Sequence, residues 1–220
     1  MIVSDEEAAK ILRRQLRIMA ILAGAESVGL SPVSSRQLHV FGYFTDALAP
    51  VWGLRILDVR LLKLQEGPTS SELQHDVDRL VGRGVVAVSD VSHSVDSDGL
   101  WRLDANYALN SAFGAPILDQ ARLFNEFADE IAYTREVVYA LSGLGQAGLA
   151  HAPSFDASYG DELVDSGDMV NLEAGDRGDN LTAQVADRFE EVVPPGITIT
   201  DAEKVHLYIR ELYSRFHNDA

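Results

Sequence analysis

The segment from Gly67 to Leu103 constrains the fold more than any other part of the chain, because it has the pattern of a short helix followed by a two-stranded hairpin. Residues Thr69–Glu72 read Thr-x-x-Glu, the capping box that begins a helix. Apolar residues then recur on one helical face, and Gly84 is placed to end the helix. A β-branched run at 85–88 and a return segment at 100–103 predict the hairpin. A helix and a hairpin in this order are the outline of a winged helix.

Most of the remaining chain is predicted to be helical. Ser4–Glu7, Ser34–Gln37 and Thr200–Glu203 have the residue types that begin helices. Leucines spaced by 3, 4 and 3 residues predict a further helix over Leu54–Gln65. A longer pattern predicts a helix over Pro116–Leu141, with Leu123 on its buried stripe. A further helix is predicted over Leu181–Val192, and Pro194 ends this pattern.

Residues 151–179 are rich in Asp, Gly and Ser and lack periodicity, so they are predicted to form a long acidic loop. The expected fold class is therefore mostly α with a small β-hairpin. It consists of a winged-helix-like domain over residues 1–112 and a helical domain over residues 113–220 that carries the acidic loop.

The distribution of charge restricts the partners of the chain, whose formal net charge is −16. Residues 1–112 carry 14 acidic and 11 basic side chains, whereas residues 151–200 carry 11 acidic and 2 basic ones. Such a field repels DNA phosphates, which disfavours nucleic-acid binding as the sole function. The absence of cysteine excludes disulfides and thiolate metal sites and makes the cytoplasm the expected location. No membrane-spanning helix and no signal peptide are expected.

No residue pattern in the chain predicts catalysis. The six histidines lack the spacing of metalloproteases or zinc fingers, and neither a phosphate-binding loop nor a nucleophile elbow occurs. We therefore predict no catalytic residue, no cofactor and no metal.

Several residues are candidates for partner binding instead. Aromatic side chains are dense between residues 39 and 52, which indicates either a core helix packed on two sides or an exposed patch for a protein partner. Arg79 and Arg83 follow the outer face of the predicted second helix of the winged-helix unit, where they would either touch phosphates or pair with Glu72 and Asp76 in solvent. The residues predicted to contact a protein partner lie on the aromatic helix, the wing and the acidic loop: Phe41, Phe44, Trp52, His93, Trp101, Asp161, Asp165 and Asp168.

Residues 35–90 resemble a bacterial family. The run Leu38–Asp46, the Gly67-Pro68 step and the pair Gly84-Val85 are similar to the Panacea domain of SocA-like antitoxins, although Thr69 stands where that pattern has Val. Layout and size also resemble the small middle components of three-component ABC-ATPase systems, the group that contains the Lamassu defence operons. The resemblance implies a small protein that accompanies an SMC-like ATPase and an effector.

Two functional hypotheses follow. The first is a non-catalytic adaptor or regulatory subunit of a bacterial multi-protein complex in anti-phage defence, which binds an ATPase or a toxic effector such as a nuclease. The alternative is a winged-helix transcription regulator that forms a homodimer through its C-terminal helices. A basic stripe and a steep loss of DNA affinity with salt would mark the regulator.

Overall fold

The computed structural model describes residues 4–95, 101–173, 180–194 and 196–218, without the side chains of residues 101–103 and 218. Within these ranges the chain is mostly helical with small sheets. The helices are α1 (Asp5–Ser27), α2 (Ser35–Ala47), α3 (Ser71–Gly82), α4 (Gly114–Ala121), α5 (Asn125–Ser142), α6 (Gly145–Phe155), α7 (Leu181–Asp187), α8 (Phe189–Val192) and α9 (Asp201–Asn218). The strands are β1 (Val33–Ser34), β2 (Arg60–Leu64), β3 (Gly67–Thr69), β4 (Val86–Val95), β5 (Trp101–Leu109) and β6 (Met169–Asn171).

Local capping contacts explain where several helices begin. The Ser4 hydroxyl accepts from the backbone N–H of Glu7 at 3.3 Å, and the Ser34 and Gln37 side chains complete a reciprocal capping box at α2. Thr200 and Glu203 bond each other in the same way before α9. The three predicted starts are therefore confirmed.

The start of α3 differs from the prediction by one residue. Ser70, not Thr69, caps the helix, because its hydroxyl accepts from the backbone N–H of Leu73 at 3.1 Å. Thr69 is held in β3 opposite Leu62, so its backbone is extended. Gly84 ends the turn after α3 with φ +71°, as predicted.

The hairpin that follows α3 belongs to a three-stranded antiparallel sheet of order β1-β5-β4. Tyr107 of β5 lies opposite Val33 on one side and Val88 on the other. A bulge between Ser89 and Ser92 places Asp90 at φ +52°. Strand β4 continues past the predicted apolar run to Val95, and the tip at residues 96–100 lies outside the described residues.

The helix predicted over Leu54–Gln65 is wrong. A 3-10 turn at Ala49–Trp52 ends at Gly53, and the backbone then extends into β2, which lies between β3 and β6 in a second antiparallel sheet. The leucines that predicted a helical stripe are distributed between a loop and a strand, where Leu57, Leu61 and Leu64 are buried. Contacts distant in sequence therefore override the local periodicity.

Two other predictions need correction. The helix predicted over Pro116–Leu141 is interrupted at residues 122–124, between α4 and α5. The acidic loop predicted at 151–179 is partly regular: α6 continues to Phe155, and β6 pairs with β2. Residues 174–179 lie outside the described residues.

The hydrophobic core is continuous across the predicted boundary at residue 112. Helices α1 and α5 run side by side in the same direction, since Arg17 meets Glu130 and Gly24 meets Val138 further along both helices. The division into two domains stays a prediction. Among the described residues, no helix combines the length and the hydropathy needed to cross a membrane.

Candidate partner-binding surfaces

The predicted aromatic contact surface is wrong for two of its residues. Phe41 and Phe44 of α2 are fully buried, so neither side chain reaches a partner. Helix α2 contacts α1, α5, α6, β3 and β5, and Leu73 of α3 lies against Gly42, which leaves no free face for an aromatic patch. The core interpretation is therefore correct at these positions. Trp52 is half-buried, with its ring centroid 5.5 Å from that of Tyr133.

The outer face of α3 carries both predicted phosphate contacts, but each has a protein partner. Arg79 donates to Asp76 at 3.0 Å, and Arg83 donates to the Gln15 side chain at 3.2 Å. Asp76 itself is fully buried, so the prediction that it belongs to a solvated ion-pair face is wrong. Glu72 lies exposed on this helix and pairs with Arg14 at 3.4 Å.

The described part of the wing exposes polar side chains together with the apolar side chains of Val88, Val91 and Val95. His93 is exposed on β4, and Asp90 accepts from the Asn106 amide across the hairpin at 2.9 Å. Trp101 begins β5, but its side chain lies outside the described residues. The described part of the wing thus exposes the carboxylates of Asp90 and Asp104.

The acidic segment, defined here as residues 156–173, brings its predicted contact residues to the surface to different degrees. Asp165 and Asp168 are exposed, whereas Asp161 is half-buried and accepts from the Leu163 backbone N–H at 2.9 Å. Lys63 of β2 donates to the Asp161 carbonyl at 2.9 Å, which ties the segment to the second sheet.

Sequence reasoning missed a cluster of buried ion pairs along α1. Arg14 pairs with Asp58 at 3.0 Å and with Asp76, and Asp58 also accepts from the Ser70 hydroxyl at 2.6 Å. One turn later, Arg17 donates to further acceptors on other elements: Asp46 at 2.6 Å, Glu130 at 2.6 Å, and the backbone carbonyls of Thr45 at 3.1 Å and Arg55 at 3.3 Å. These contacts join α1 to α2, α3 and α5. The one available signal was the position of Arg17 inside an otherwise apolar run, Leu16–Leu22.

Electrostatics within this cluster are unbalanced, because four buried carboxylates surround two buried guanidiniums. Burial opposes the charge of Arg17, but Asp46 and Glu130 outweigh it and raise its pKa. Burial also raises the pKa of Asp46 to about 6, although Arg17 opposes the shift. The cluster therefore takes up a proton in mildly acidic solution.

A second buried carboxylate organises the start of the acidic segment. Asp156 accepts from the backbone N–H groups of residues 158–159 at 2.9 and 3.0 Å, from the Tyr208 hydroxyl at 2.7 Å, from Thr182 at 2.8 Å and from Tyr43. Burial and the Asp156 charge raise the pKa of Tyr43 and Tyr208. Every interaction of this carboxylate is directed inward, so Asp156 holds α2, α7 and α9 together rather than contacting a partner.

A group of exposed large apolar side chains lies on α4 and the turn after it. Phe113, Ile117, Leu123 and Phe124 are 61%, 42%, 74% and 60% exposed and form what we call the α4 apolar surface. Leu118 and Ala121 occupy the buried side of the same helix. The prediction that Leu123 belongs to a buried stripe is wrong, because the break between α4 and α5 turns it outward.

Ion pairs border the α4 apolar surface. Asp119 pairs with Arg122 at 2.8 Å, and Glu126 pairs with Arg13. A large apolar surface bordered by charged residues is typical of protein–protein contact sites. Among the described residues, no three His, Asp or Glu side chains gather as metal ligands would.

Comparison of the chain with protein-family models, curated proteins and solved structures gave no match.

Proposed function

We propose that the chain is a non-catalytic adaptor or regulatory subunit that binds another protein of a bacterial multi-protein complex. The observation that carries this proposal is the α4 apolar surface, whose four large side chains are all exposed within residues 113–124. Clustered aromatic and aliphatic residues of this kind anchor protein interfaces, whereas isolated exposed apolar residues are common on any surface.

The resemblance of residues 35–90 supplies the class of partner. Small proteins of the Lamassu-like three-component systems accompany an SMC-like ATPase and an effector, so we expect the partner to be an ATPase or a nuclease. By restraining or positioning such an enzyme, the chain would act in anti-phage defence.

The order of elements supports a winged-helix core for this subunit. Along the chain, α1 is followed by β1, then by α2 and α3, and then by the hairpin of β4 and β5. In the sheet, β5 lies between β1 and β4. A winged helix has this order, with the hairpin as its wing. Between α2 and α3 the chain adds β2 and β3, which a minimal winged helix lacks.

The same order of elements favours the second candidate function, a transcription regulator. A regulator would read DNA with α3 and steady itself with the wing. The charges of those two elements favour the adaptor instead. Their exposed side chains include the carboxylates of Glu72, Asp78, Asp90 and Asp104, which repel phosphates. The arginines that would contact phosphates already have protein partners, since Arg79 bonds to Asp76 and Arg83 bonds to Gln15.

The deciding experiment is capture of the tagged full chain from its native host at native expression, with bound proteins identified by mass spectrometry. We expect stoichiometric recovery of an ATPase or effector with the wild type, and its loss from the double variant Ile117→Asp/Phe124→Asp. The matched control is Val192→Asp/Ile197→Asp, which places the same charges on exposed apolar residues outside both the α4 apolar surface and the acidic segment. Recovery of the chain alone as a dimer, with salt-sensitive DNA binding, would establish the regulator.

A further inference from the structure

A groove of about 370 Å³ lies beside α3 on the face opposite the core. Its floor includes Gln74 and Asp78 of α3, its first wall is the β2–β3 hairpin from Glu66 to Thr69, and Asp104 of β5 contributes to the other side. Its volume lies in the range of small ligand-binding clefts. The inserted hairpin creates this groove, because without β3 the outer face of α3 would be open on that side.

Carboxylates dominate the charge of the groove. Among the described lining residues are the carboxylates of Glu66, Asp78 and Asp104 and one guanidinium, that of Arg36. Asp78 accepts from the Gln74 amide at 2.9 Å and Asp104 accepts from the Ser94 hydroxyl, so both carboxylates are held in place by neutral donors. Among the ion pairs between described side chains, none includes any of these four residues.

The histidine in the groove is held by contacts to the start of α3. His39 accepts from the Ser70 backbone N–H through Nδ1 at 3.2 Å. The other ring nitrogen faces the Gln74 side-chain oxygen at 3.4 Å. Leaving His39 aside, the described side chains that line the groove include three carboxylates and one guanidinium, which sum to a formal charge of −2.

The β2–β3 hairpin and β5 flank the groove on its two sides. A helix that reads DNA must enter the major groove, which admits little more than the helix itself, so these flanking elements favour an extended peptide segment over a duplex as the occupant. The unbalanced carboxylates then favour lysine and arginine side chains in that segment.

We propose that the groove between α3, the β2–β3 hairpin and β5 binds an extended, lysine- or arginine-bearing segment of a partner protein. This inference rests on the proposed protein-binding function and names a second contact, separate from the α4 apolar surface. Arg36 acts as the selectivity residue of the groove, because its charge repels cationic side chains and is balanced by no described carboxylate.

The test uses the full chain and a fluorescein-labelled peptide, (Ser-Arg-Gly)₃, with (Ser-Gln-Gly)₃ as the uncharged control peptide, in anisotropy titrations at 50 mM salt. The groove variant is Glu66→Gln/Asp78→Asn/Asp104→Asn. The matched control is Glu26→Gln/Asp129→Asn/Glu191→Gln, which removes the same charge from exposed carboxylates elsewhere. We expect the arginine peptide to bind the wild type and the control equally, and the groove variant about tenfold more weakly.

Weaker binding of the groove variant could also result from unfolding, so the test includes a variant that should bind more tightly. Arg36→Gln removes the only guanidinium or ammonium group among the described side chains that line the groove and should tighten binding of the arginine peptide about threefold. Amide chemical-shift changes in the wild type should concentrate at residues 66–78. Equal affinities of the two triple variants, scattered shift changes, no binding of the arginine peptide, or tighter binding of a 20-base-pair duplex would each overturn the proposal.

Failure of the two proposals can be told apart. The peptide titration measures the groove alone, since the α4 apolar surface is intact in every variant used. The capture experiment with Ile117→Asp/Phe124→Asp leaves the groove intact. A chain that captures its partner through α4 but fails the peptide titration retains the adaptor function and loses only this inference.

Discussion

At the scale of single residues, Arg14 and Arg17 fix how the elements meet. Each guanidinium bonds to carboxylates on other elements, and the described structure leaves none of the cluster's buried side-chain nitrogens or oxygens without a hydrogen bond. Buried ion pairs gain little net stability, because desolvation offsets their attraction. Removing one partner is costly, however, so such a cluster specifies one packing of α1 against α2, α3 and α5.

The excess of carboxylates in this cluster predicts an unusual pH response. Asp46 has a pKa raised to about 6 by burial, against an ordinary value of 3.8, so its contribution to stability is greatest below pH 4 and is lost as the pH rises through 6. The variant Asp46→Asn lacks this titration. We expect the wild type to lose up to about 3 kcal/mol relative to Asp46→Asn between pH 4 and pH 7, measured by urea unfolding. The exposed control Asp119→Asn should follow the wild type, and parallel profiles of wild type and Asp46→Asn would refute the assignment.

At the scale of elements, a close backbone approach fixes the turn that follows α6. A Cβ added to Gly160 would lie 2.5 Å from the carbonyl oxygen of Ser154 and 2.6 Å from that of Asp156. Backbone atoms cannot yield as a flexible side chain can, so Gly160→Ala must displace the turn that presents Asp156 to Tyr43 and Tyr208.

We expect Gly160→Ala to destabilise the chain by about 2–4 kcal/mol, measured by urea unfolding, because the displacement breaks several buried hydrogen bonds. The control is Gly82→Ala, at the end of α3, where an added Cβ meets nothing within 4 Å. That substitution should leave stability unchanged or raise it by up to about 1 kcal/mol. Equal stability of the two variants would show that the turn tolerates a Cβ.

The elements that the sequence predicts well are those whose determinants are local. The caps at Ser4, Ser34 and Thr200 depend on partners three residues away, so the starts of α1, α2 and α9 are readable from the chain. The segment Leu54–Gln65 was mispredicted because its conformation depends on distant partners: β6 pairs with β2, and Asp46 accepts from the Leu57 backbone N–H at 2.7 Å.

The candidate-site residues, too, are predicted well where their exposure depends on local sequence and poorly where it depends on distant contacts. The exposure of His93, Asp165 and Asp168 follows from polar, aperiodic sequence. Phe41 and Phe44 are predicted on a contact surface because one narrow helical stripe cannot bury all the aromatic side chains of residues 39–52, but α2 is packed on several sides and buries both. The α4 apolar surface was missed because one long helix was predicted where the chain breaks at residues 122–124.

At the scale of the whole molecule, the surface separates apolar and acidic contact regions. The α4 apolar surface lies near the start of the second half of the chain, and the acidic side chains are concentrated at residues 151–200, which carry 11 acidic and 2 basic residues. A concentrated acidic region steers a basic partner and raises the association rate, whereas apolar anchors slow dissociation. We therefore expect the two regions to affect different rate constants of the proposed interaction.

This separation predicts the effect of neutralising the acidic segment. We expect Asp161→Asn/Asp165→Asn/Asp168→Asn to lower the affinity for the captured partner about tenfold at 50 mM salt. Most of this loss should come from slower association, and the association rate of the variant should change less with salt than that of the wild type. Surface plasmon resonance at 50, 150 and 400 mM salt measures both rate constants. The control Glu6→Gln/Glu26→Gln/Asp129→Asn removes equal charge from exposed carboxylates outside residues 151–200 and should slow association less. Unchanged affinity of the segment variant would contradict a role for Asp161, Asp165 and Asp168 in the interface and leave the α4 apolar surface as the proposed anchor.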